Sequence, residues 1–484
     1  MLSVGARSLL RLVGNAGSLL ASEVLNKATT FLLYAFVARL LDVDSFGHLS
    51  LGLMLFYVFQ VFASAGLPIL LTREIAKEKS NTARLVTTGL AAAGLAALIS
   101  SLAMALVTVI MQYDREATQV ILCLALGLVP YALANVLEAS FRGNERMHLI
   151  ALSNVLANGV KVVGGIWLLV GGFGVVAIAG LIVAIRLLIL GTDLFFYFRN
   201  TQGGLTWFRY AEVKKLLVRA IPFLGVDAVI ACWSAVDVVL LSKLMSPAEV
   251  ALYSASAQLI QPVTLVYRSI VGSIFPAMCR KAKSQNLSLS ELTRWMVAFL
   301  LLIGLPVSLL IPRFADLLLE LAYSKPEFQG AVPVMQIAAL AVLTQCFTTI
   351  LGHALWAADR EADTLRIVII NLCVNVIVNS LMISRFGLVG AAAGSFLVSC
   401  FNVAQHVIAC RSAMGALPVD WQILNPVLAG IAMVLVVYGA PSNNRFLVAI
   451  CGVAAYASVA MGLIFMRHGG MRELRSKFFA PLLN

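Results

Sequence analysis

The sequence predicts an all-α polytopic membrane protein with about 14 transmembrane helices, arranged as two parallel six-helix repeats that face a central cavity plus two C-terminal helices. Of its 484 residues, 61% are apolar and 12% are charged, whereas soluble domains are about 45–50% apolar and about 25% charged. The apolar runs are about 20 residues long, the length of a helix that crosses a bilayer. A β-barrel is not expected, because apolar and polar residues do not alternate with a period of two.

The apolar spans follow one another along the chain, separated by short polar loops. They lie at residues 15–37, 48–71, 85–111, 118–140, 149–170, 174–198, 218–242, 250–277, 295–311, 331–356, 367–384, 388–410, 423–440 and 446–466. Ahead of the first span, Arg7 and Arg11 stand among leucines, which predicts a short interfacial helix over residues 1–13. A cleaved signal peptide fits less well, because no small-residue cleavage site follows this run.

The positive charges are distributed unevenly between the two sides of the membrane. The N-terminus and the loops after even-numbered spans hold 24 Lys and Arg residues, whereas the loops after odd-numbered spans hold 7. The positive-inside rule therefore predicts a multi-pass protein of the cell (inner, cytoplasmic) membrane with both termini in the cytoplasm. The net charge of +12 is explained by this topology, and no nucleic-acid partner is expected.

Several other classes of function have no support in the sequence. The eight cysteines lie almost entirely within apolar runs without a CxxC pair, and the five histidines are scattered, so neither a disulfide framework nor a metal site is expected. No Walker A sequence or catalytic triad signature is present. The longest loops have about 15–20 residues, too few for a soluble catalytic domain. We therefore expect a secondary transporter without a cofactor rather than an enzyme.

An internal duplication is indicated by three pairs of similar segments. "RLLDVDSFGHLSLG" from Arg39 aligns without gaps with "KLMSPAEVALYSAS" from Lys243, at an offset of 204 residues. "FGVVAIAG" from Phe173 matches "FGLVGAAAG" from Phe386 at an offset of 213, and "SFRGNERMHL" matches "LWAADREADT" between them. Each repeat holds six spans, an even number, so the two copies enter the membrane in the same sense.

The repeat predicts a division of the chain into three parts. Residues 1–200 form an N-lobe with the interfacial helix and spans one to six, and residues 201–412 form a C-lobe with spans seven to twelve. Residues 413–484 hold the last two spans and a basic cytoplasmic tail. Two six-helix lobes around a cavity are typical of transporters that work by alternating access.

Two stretches carry a resemblance to a known family. "ARLLDVDSFGHLSLG" followed by "ASAGLPILLTREIAK", and later "RAIPFLGVDAVIACWSAVDVVLLSKLMSPAEVALYSASAQLIQPV", resemble the bacterial polysaccharide (O-antigen and exopolysaccharide) repeat-unit flippases. These belong to the multidrug/oligosaccharidyl-lipid/polysaccharide exporter superfamily. The resemblance covers about residues 15–415. It implies a V-shaped pair of six-helix lobes that moves polyprenyl-diphosphate-linked oligosaccharide from the cytoplasmic to the outer leaflet without ATP hydrolysis, for lipopolysaccharide or other cell-surface polysaccharide. Membrane lipids and other polysaccharide assembly proteins are the implied partners.

Other functions stay open beside this one. Many members of that family have twelve spans, whereas the lipid II flippases of the superfamily have fourteen, although their Gly/Arg-rich first-span pattern is absent here. A drug or cation exporter ranks third, because it should rely on acidic cavity residues rather than the four intramembrane cations described below. A membrane polymerase or ligase needs a long external loop, and the longest external stretch, Arg313–Gly330, is short.

Four cations lie within predicted spans, where each costs roughly 2.5–3.5 kcal/mol at the bilayer centre. They are Lys27, Lys161, Arg186 and Arg268. Arg meets a diphosphate with a bidentate fork and Lys as a point charge, so these four are the predicted diphosphate-binding residues. Alternatively, Lys161 pairs with another helix, and Arg186 shares a polar cluster with Asp193, seven residues on.

Three carboxylates within spans are predicted to bind a coupling proton or sodium ion. They are Glu23 in the first span and Asp227 and Asp237 in the seventh. The offset of 204 places Glu23 opposite Asp227 in the repeat. Glu23 also lies four residues before Lys27, on the same helical face, so a local ion pair is the simpler alternative.

Aromatic and amide side chains in the spans are candidates for sugar contacts. They are Tyr34, Tyr57, Gln60, Trp233, Gln258 and Gln261, together with Tyr253 and Tyr267. Tyr and Trp are also common in the interfacial belts of membrane helices, which is the alternative explanation for them.

Overall fold

The computed structural model of the chain describes residues 4–200, 204–207, 209–283, 289–415, 421–439 and 444–468. Over these residues the secondary structure consists of α-helices and three short 3-10 turns, without a β-strand. The all-α class is therefore confirmed. The side chains of Arg7 and Arg11 and the basic tail after residue 468 lie outside the described part of the chain.

The helices follow the predicted spans closely. They are α1 (Val4–Leu40), α2 (Val43–Ser64), α3 (Leu67–Lys77), α4 (Thr82–Met111), α5 (Arg115–Leu126), α6 (Leu128–Gly143), α7 (Met147–Val170), α8 (Val175–Asn200), α9 (Tyr210–Leu244), α10 (Pro247–Lys283), α11 (Leu289–Tyr323), α12 (Val332–Ala357), α13 (Glu361–Met414), α14 (Leu424–Gly439) and α15 (Arg445–His468). The predicted interfacial segment is continuous with the first span in α1, rather than a separate helix.

The number of membrane crossings agrees with the prediction once the longest helices are divided. Within the described residues, 11 helical segments are long and apolar enough to cross a membrane, and α9, bent by 49° near Gly225, adds a twelfth. At ~1.5 Å per residue the 54 residues of α13 would extend about 80 Å, far beyond a ~30 Å hydrocarbon core. Gly387, with φ 57° and ψ −137°, breaks α13 between predicted spans eleven and twelve. The predicted first span lies within α1.

Local sequence signals fix where several helices begin and end. Asp42 caps α2 by accepting a hydrogen bond from the Ser45 amide at 3.1 Å. Partial burial raises the pKa of the Asp42 carboxyl, but its hydrogen bonds with Ser45 outweigh this, and the pKa is lower than usual. Ala65 and Gly66 adopt left-handed conformations, with φ 49° and 70°, and end α2. The predicted span 48–71 is therefore split into α2 and α3.

The chain separates into two compact units, Met1–Ala251 and Leu252–Asn484. In unit 1, α1 packs along α7, α2 packs against α4 and α5, and α6 packs against α4 and α8. Helix α9, the first helix of the second sequence repeat, packs against α2, α3 and α4 within unit 1. The predicted lobe boundaries at residues 200 and 412 come from the duplication in the sequence, and they stay predictions.

In unit 2, α12 packs between α11 and α13, and the C-terminal helices α14 and α15 pack on each other and on α11. Apolar residues of α14 and α15 form one buried cluster, which includes Met433, Val437 and Val448. Tyr456 anchors α15 by donating a hydrogen bond to the Leu302 carbonyl of α11 at 3.0 Å. The two helices without a counterpart in the repeat are thus attached to unit 2 through α11.

Candidate functional site

The ammonium group of Lys161 is held inside unit 1 by oxygen atoms of α1. Only 8% of Lys161 is exposed. Its Nζ donates to Asn26 Oδ1 at 2.7 Å, to Thr30 Oγ1 at 3.0 Å and to Thr29 Oγ1 at 3.1 Å, and lies 3.4 Å from the Asn26 carbonyl oxygen. Four neutral oxygens therefore take the place of the water that a buried ammonium loses.

The contact between α1 and α7 continues around this group. Thr29 also donates to Asn158 Oδ1, one turn from Lys161 on α7, at 2.9 Å. Gly165 leaves room for Leu33, since a Cβ at that position would lie 2.5 Å from the Leu33 side chain. The structure thus places Lys161 in a link between two helices, as in the alternative considered above. The contact of Lys161 with a diphosphate stays a prediction. For that contact to form, the ammonium group would have to leave these oxygens.

Glu23 and Lys27 lie on the exposed side of α1, away from this link. Within the described residues no ion pair joins the two side chains. The i, i+4 spacing therefore does not produce the local pair that would have explained both charges. Lys27 is the exposed cation of α1 next to the Lys161 link, and the link fixes the position of the helix that carries it.

Arg186 of α8 lies half-buried against aromatic rings. Its guanidinium carbon is 5.0 Å from the ring centroid of Tyr131 and 5.7 Å from that of Phe56. Such stacking stabilises a partly desolvated guanidinium.

Glu138 of α6, whose side chain is 15% exposed, forms an ion pair with Arg142 at 2.5 Å. The fully buried Asp193 follows on α8, where Ser153 donates to it at 2.6 Å. Arg186 and Asp193 thus belong to the charged interior of unit 1.

The remaining predicted residues of unit 1 are divided between its surface and its interior. Asp227 and Tyr57 are exposed, whereas Gln60, Trp233 and Asp237 are half-buried. Tyr34 is 7% exposed and packs edge-on against Phe46 with centroids 5.5 Å apart. Their predicted roles in coupling and sugar binding stay predictions.

In unit 2 the predicted residues lie on α10. Arg268 and Gln261 are exposed and Gln258 is half-buried. Tyr267, by contrast, is 1% exposed, and its hydroxyl lies against Gly304, where a Cβ would be 1.9 Å from it. A Tyr at this depth packs helices together, while Arg268 next to it remains accessible.

Sequence reasoning missed a network of amide side chains in unit 2. Asn371 of α13 donates to Asn402 Oδ1 at 2.9 Å, and Gln405 donates to Asn371 Oδ1 at 3.3 Å. Asn379 and Asn375 are hydrogen-bonded to each other one turn further on. The signal was an Asn every fourth residue at 371, 375 and 379, which places all three on one face of an apolar helix.

In the described part of the chain, no group of three or more His, Cys, Asp or Glu side chains could hold a metal ion. The groups described above are cations, carboxylates and neutral oxygen atoms within a bundle of apolar helices.

Comparison with known families gives one match of substantial length. The model of the family described as "Polysaccharide biosynthesis protein" matches residues 12–282, more than half of the chain. The matched range runs from α1 through most of α10 and includes all four intramembrane cations.

Two curated relatives come from the archaeon Haloferax volcanii. The probable low-salt glycan biosynthesis flippase Agl15 is 22% identical over 292 residues, which is 58% of this chain and 59% of that protein. The probable flippase AglR is 29% identical over 190 residues, which is 38% of this chain and 40% of that protein. The chain thus matches less than two thirds of the length of either relative.

Solved structures show that the fold is shared with membrane transporters. The lipid II flippase MurJ in an inward closed conformation superposes with a TM-score of 0.73 at 12% identity, over 98% of this chain and all of that one. An inward-facing MATE multidrug transporter gives a TM-score of 0.66 at 15% identity, over 81% of this chain and 94% of that one. The match to the polysaccharide biosynthesis family confirms the predicted family, and the two superpositions confirm the predicted fold.

Proposed function

Because this chain belongs to the polysaccharide biosynthesis protein family, we propose that it is a flippase that moves polyprenyl-diphosphate-linked oligosaccharide repeat units from the cytoplasmic to the outer leaflet of the cell membrane by alternating access. The observation that carries the proposal is the set of cations inside the apolar bundle. Lys27 and Arg268 are exposed on α1 and α10. A cation that faces lipid tails at mid-membrane costs several kcal/mol, so each of the two is expected to face water rather than lipid.

An aqueous cavity with cationic walls meets the physical requirement of this substrate. The diphosphate carries the charge that the hydrocarbon core excludes, and the oligosaccharide carries many hydroxyl groups. Arg268 can bind phosphate oxygens through a bidentate fork, and Lys27 adds a mobile point charge. Arg186, half-buried on Tyr131 and Phe56, supplies positive potential from within unit 1.

The glycan itself is a finer part of the proposal. The relatives Agl15 and AglR are named as flippases, one of them for glycan biosynthesis, and both are archaeal. We therefore propose a cell-surface glycan precursor as the cargo, with O-antigen and exopolysaccharide units as the bacterial examples. We also propose both termini in the cytoplasm, from the distribution of Lys and Arg, and coupling to a proton or sodium gradient.

The proposal is tested by reconstituting the protein in proteoliposomes with a fluorescent polyprenyl-diphosphate oligosaccharide. Flipping is followed by the access of a membrane-impermeant quencher. The Lys27→Ala/Arg268→Ala double variant should flip at least about tenfold more slowly, since each lost charge-assisted hydrogen bond is worth roughly 1.5–3 kcal/mol and ~1.4 kcal/mol is tenfold in rate.

The matched control for this experiment is Lys215→Ala, which removes an exposed positive charge from the start of α9. It should flip at the wild-type rate. A wild-type rate in the double variant would contradict the cationic contact. Failure of the wild-type protein to flip any diphosphate-linked lipid would overturn the proposed function.

A second candidate, flipping of lipid II, is favoured by one observation. The fold superposes on MurJ over nearly its whole length, including the region of α14 and α15. Lipid II has the same polyprenyl diphosphate but a peptide-bearing disaccharide, so the same vesicles loaded with lipid II decide between them. A drug or cation exporter ranks third and predicts no transport of either lipid.

A further inference from the structure

We propose that Asp193 of α8 is the group in unit 1 that binds and releases a proton, and that its protonation is coupled to the packing of α8 against α6 and α7. The role in coupling rests on the proposed transport function, whereas the presence of a proton on Asp193 does not.

The surroundings of Asp193 are unusual for a carboxylate. It lies about two turns before the end of α8, and 0% of the residue is exposed. Its Oδ1 accepts a hydrogen bond from Ser153 Oγ of α7 at 2.6 Å. Within the described residues, Oδ2 has no hydrogen-bond partner, and no ion pair is formed with Asp193.

A charged carboxylate in such a place would lack compensation. Buried anions are stable when a cation or several hydrogen-bond donors replace the lost water, and a single hydroxyl donor does not do so. The neutral carboxylic acid needs much less compensation from surrounding polar groups. Its proton on Oδ1 can be donated to Ser153, because a hydroxyl both donates and accepts, and Oδ2 is then an uncharged carbonyl oxygen. The geometry therefore favours the protonated form in this conformation.

The charges that act on Asp193 come from α6. Helix α8 packs against α2, α5, α6 and α7. Besides Asp193, the charged and His residues of these helices are Asp44 and His48 of α2, Arg115 and Glu116 of α5, Glu138 and Arg142 of α6, His148 and Lys161 of α7, and Arg186 and Arg199 of α8. Those of α2 and α5 lie within the first two turns of their helices. Glu138 and Arg142 are the two that interact electrostatically with it.

Glu138 provides a route for the proton. Its side chain is 15% exposed and paired with Arg142, so it has more contact with water than Asp193. On release, the O–H bond of Asp193 breaks and its electron pair stays on the carboxylate. The proton passes to the Glu138 carboxylate and from there to water. Movement of α8 relative to α6 and α7 would hydrate Asp193 and allow this step.

The sequence repeat adds an independent observation. The offset of 213 that aligns Phe173 with Phe386 also aligns Asp193 with His406 of α13. His406 is 5% exposed, and its Nδ1 is hydrogen-bonded to the Asn402 carbonyl at 3.0 Å. The same position of both repeats thus carries a buried titratable side chain within an apolar helix. Packing alone would be served by an apolar residue there.

The three carboxylates predicted for coupling differ from Asp193. Glu23 and Asp227 are exposed, and Asp237 is half-buried and has interaction partners. Water or partners can stabilise their charge in this conformation. A group whose protonation depends on packing can link a proton to a change of conformation, and Asp193 meets that condition.

The protonation state is tested directly by infrared difference spectroscopy on the full-length protein in lipid nanodiscs at neutral pH. The wild type should show the C=O band of a protonated carboxyl group. Asp193→Asn should lack this band, and Ser153→Ala should shift it, because the hydrogen bond is lost. Glu320→Gln, at an exposed carboxylate of α11 without a predicted role, is the matched control and should keep the band. A full band in Asp193→Asn, or a band lost in Glu138→Gln alone, would overturn the proposal.

The coupling is tested in the same vesicles used for flipping, with and without a pH gradient. The ratio of the two rates should exceed about threefold for the wild type and fall to about one for Asp193→Asn, while Glu320→Gln, at an exposed carboxylate of α11 without a predicted role, keeps the wild-type ratio. A wild-type ratio in Asp193→Asn would overturn the coupling role. If no lipid-linked oligosaccharide is flipped but the carboxyl band is assigned to Asp193, the proposed function fails and the protonation site stands.

Discussion

The two units bury polar side chains among apolar helices with different chemistry. In unit 1 the buried polar side chains include the Lys161 ammonium and the Asp193 carboxyl beside many hydroxyl groups. In unit 2 they include a group of amides beside hydroxyl groups and His406, and Asn371, Asn375 and Asn379 are at most 3% exposed. One repeat position holds a buried Asn in both units, since the offset of 213 aligns Asn158 with Asn371.

The difference between buried titratable groups and buried amides distinguishes residues suited to proton or anion chemistry from residues that hold helices together. A buried charge costs more than a buried amide, and it is retained where surrounding atoms compensate it or where it has a function. An amide network satisfies its own donors and acceptors and holds helices in register. We therefore expect proton and anion chemistry to concentrate in unit 1, with Arg268 as the exposed contribution of unit 2.

The largest effect on stability is expected from the link between α1 and α7. Thr29→Val preserves shape but removes the hydroxyl that contacts both Lys161 and Asn158. The buried ammonium then lacks one acceptor, and the free energy of unfolding should fall by about 2–3 kcal/mol. Thermal unfolding in detergent measures the change.

Two further variants separate the charge from the shape change. Lys161→Met in the Thr29→Val background should recover most of the loss, because the charge that needs the oxygens is gone. Lys27→Met, at the exposed neighbour, should change stability by about 0.5 kcal/mol or less. A Thr29→Val protein as stable as the wild type would show that the link carries little energy.

A smaller effect is expected from the amide network of unit 2. Asn371→Leu removes the hydrogen bonds to Asn402 and Gln405 and should lower the free energy of unfolding by about 1–2 kcal/mol, because the groups left unpaired are neutral. The double variant with Asn402→Leu should be more stable than the sum of the single changes predicts. A loss larger than that of Thr29→Val would reverse the ranking of the two units.

The smallest effect is expected at the surface of unit 2. Arg445 and Asp316 form an ion pair at 2.6 Å between α15 and α11, but their side chains are 42% and 41% exposed. Arg445→Ala should therefore cost about 0.5 kcal/mol or less. Tyr456→Phe, which removes the hydrogen bond to Leu302 on the same pair of helices, should cost about 1 kcal/mol. The opposite order in thermal unfolding would contradict this assignment.

Much of the fold could be predicted, because a membrane helix can be recognised from its own residues. Apolar runs of about 20 residues need no partner to be recognised, and the break at Gly387 fell between two predicted spans. The placement of α9 in unit 1 could not be predicted, because a repeat boundary records duplication and not which helices pack together. The same holds for the split of one span into α2 and α3, which depends on two left-handed residues.

The candidate site was predictable in residue type but not in arrangement. Lys27 and Lys161 gave the same signal, a Lys within an apolar span. The oxygen atoms that hold Lys161 lie more than 130 residues away in the sequence, on α1. Hydrogen bonds across that distance leave no periodicity or spacing to read.

The sequence by itself determined that the chain is a bundle of membrane helices with duplicated halves and cations in its apolar spans. These features follow from hydropathy, length and charge, which are properties of single segments. The tertiary structure alone decided that Lys161 is bound by α1 while Lys27 is exposed, and that Asp193 is sealed inside unit 1 while Asp227 is exposed. Burial and pairing arise where helices meet, and this is fixed by packing between residues far apart in the chain.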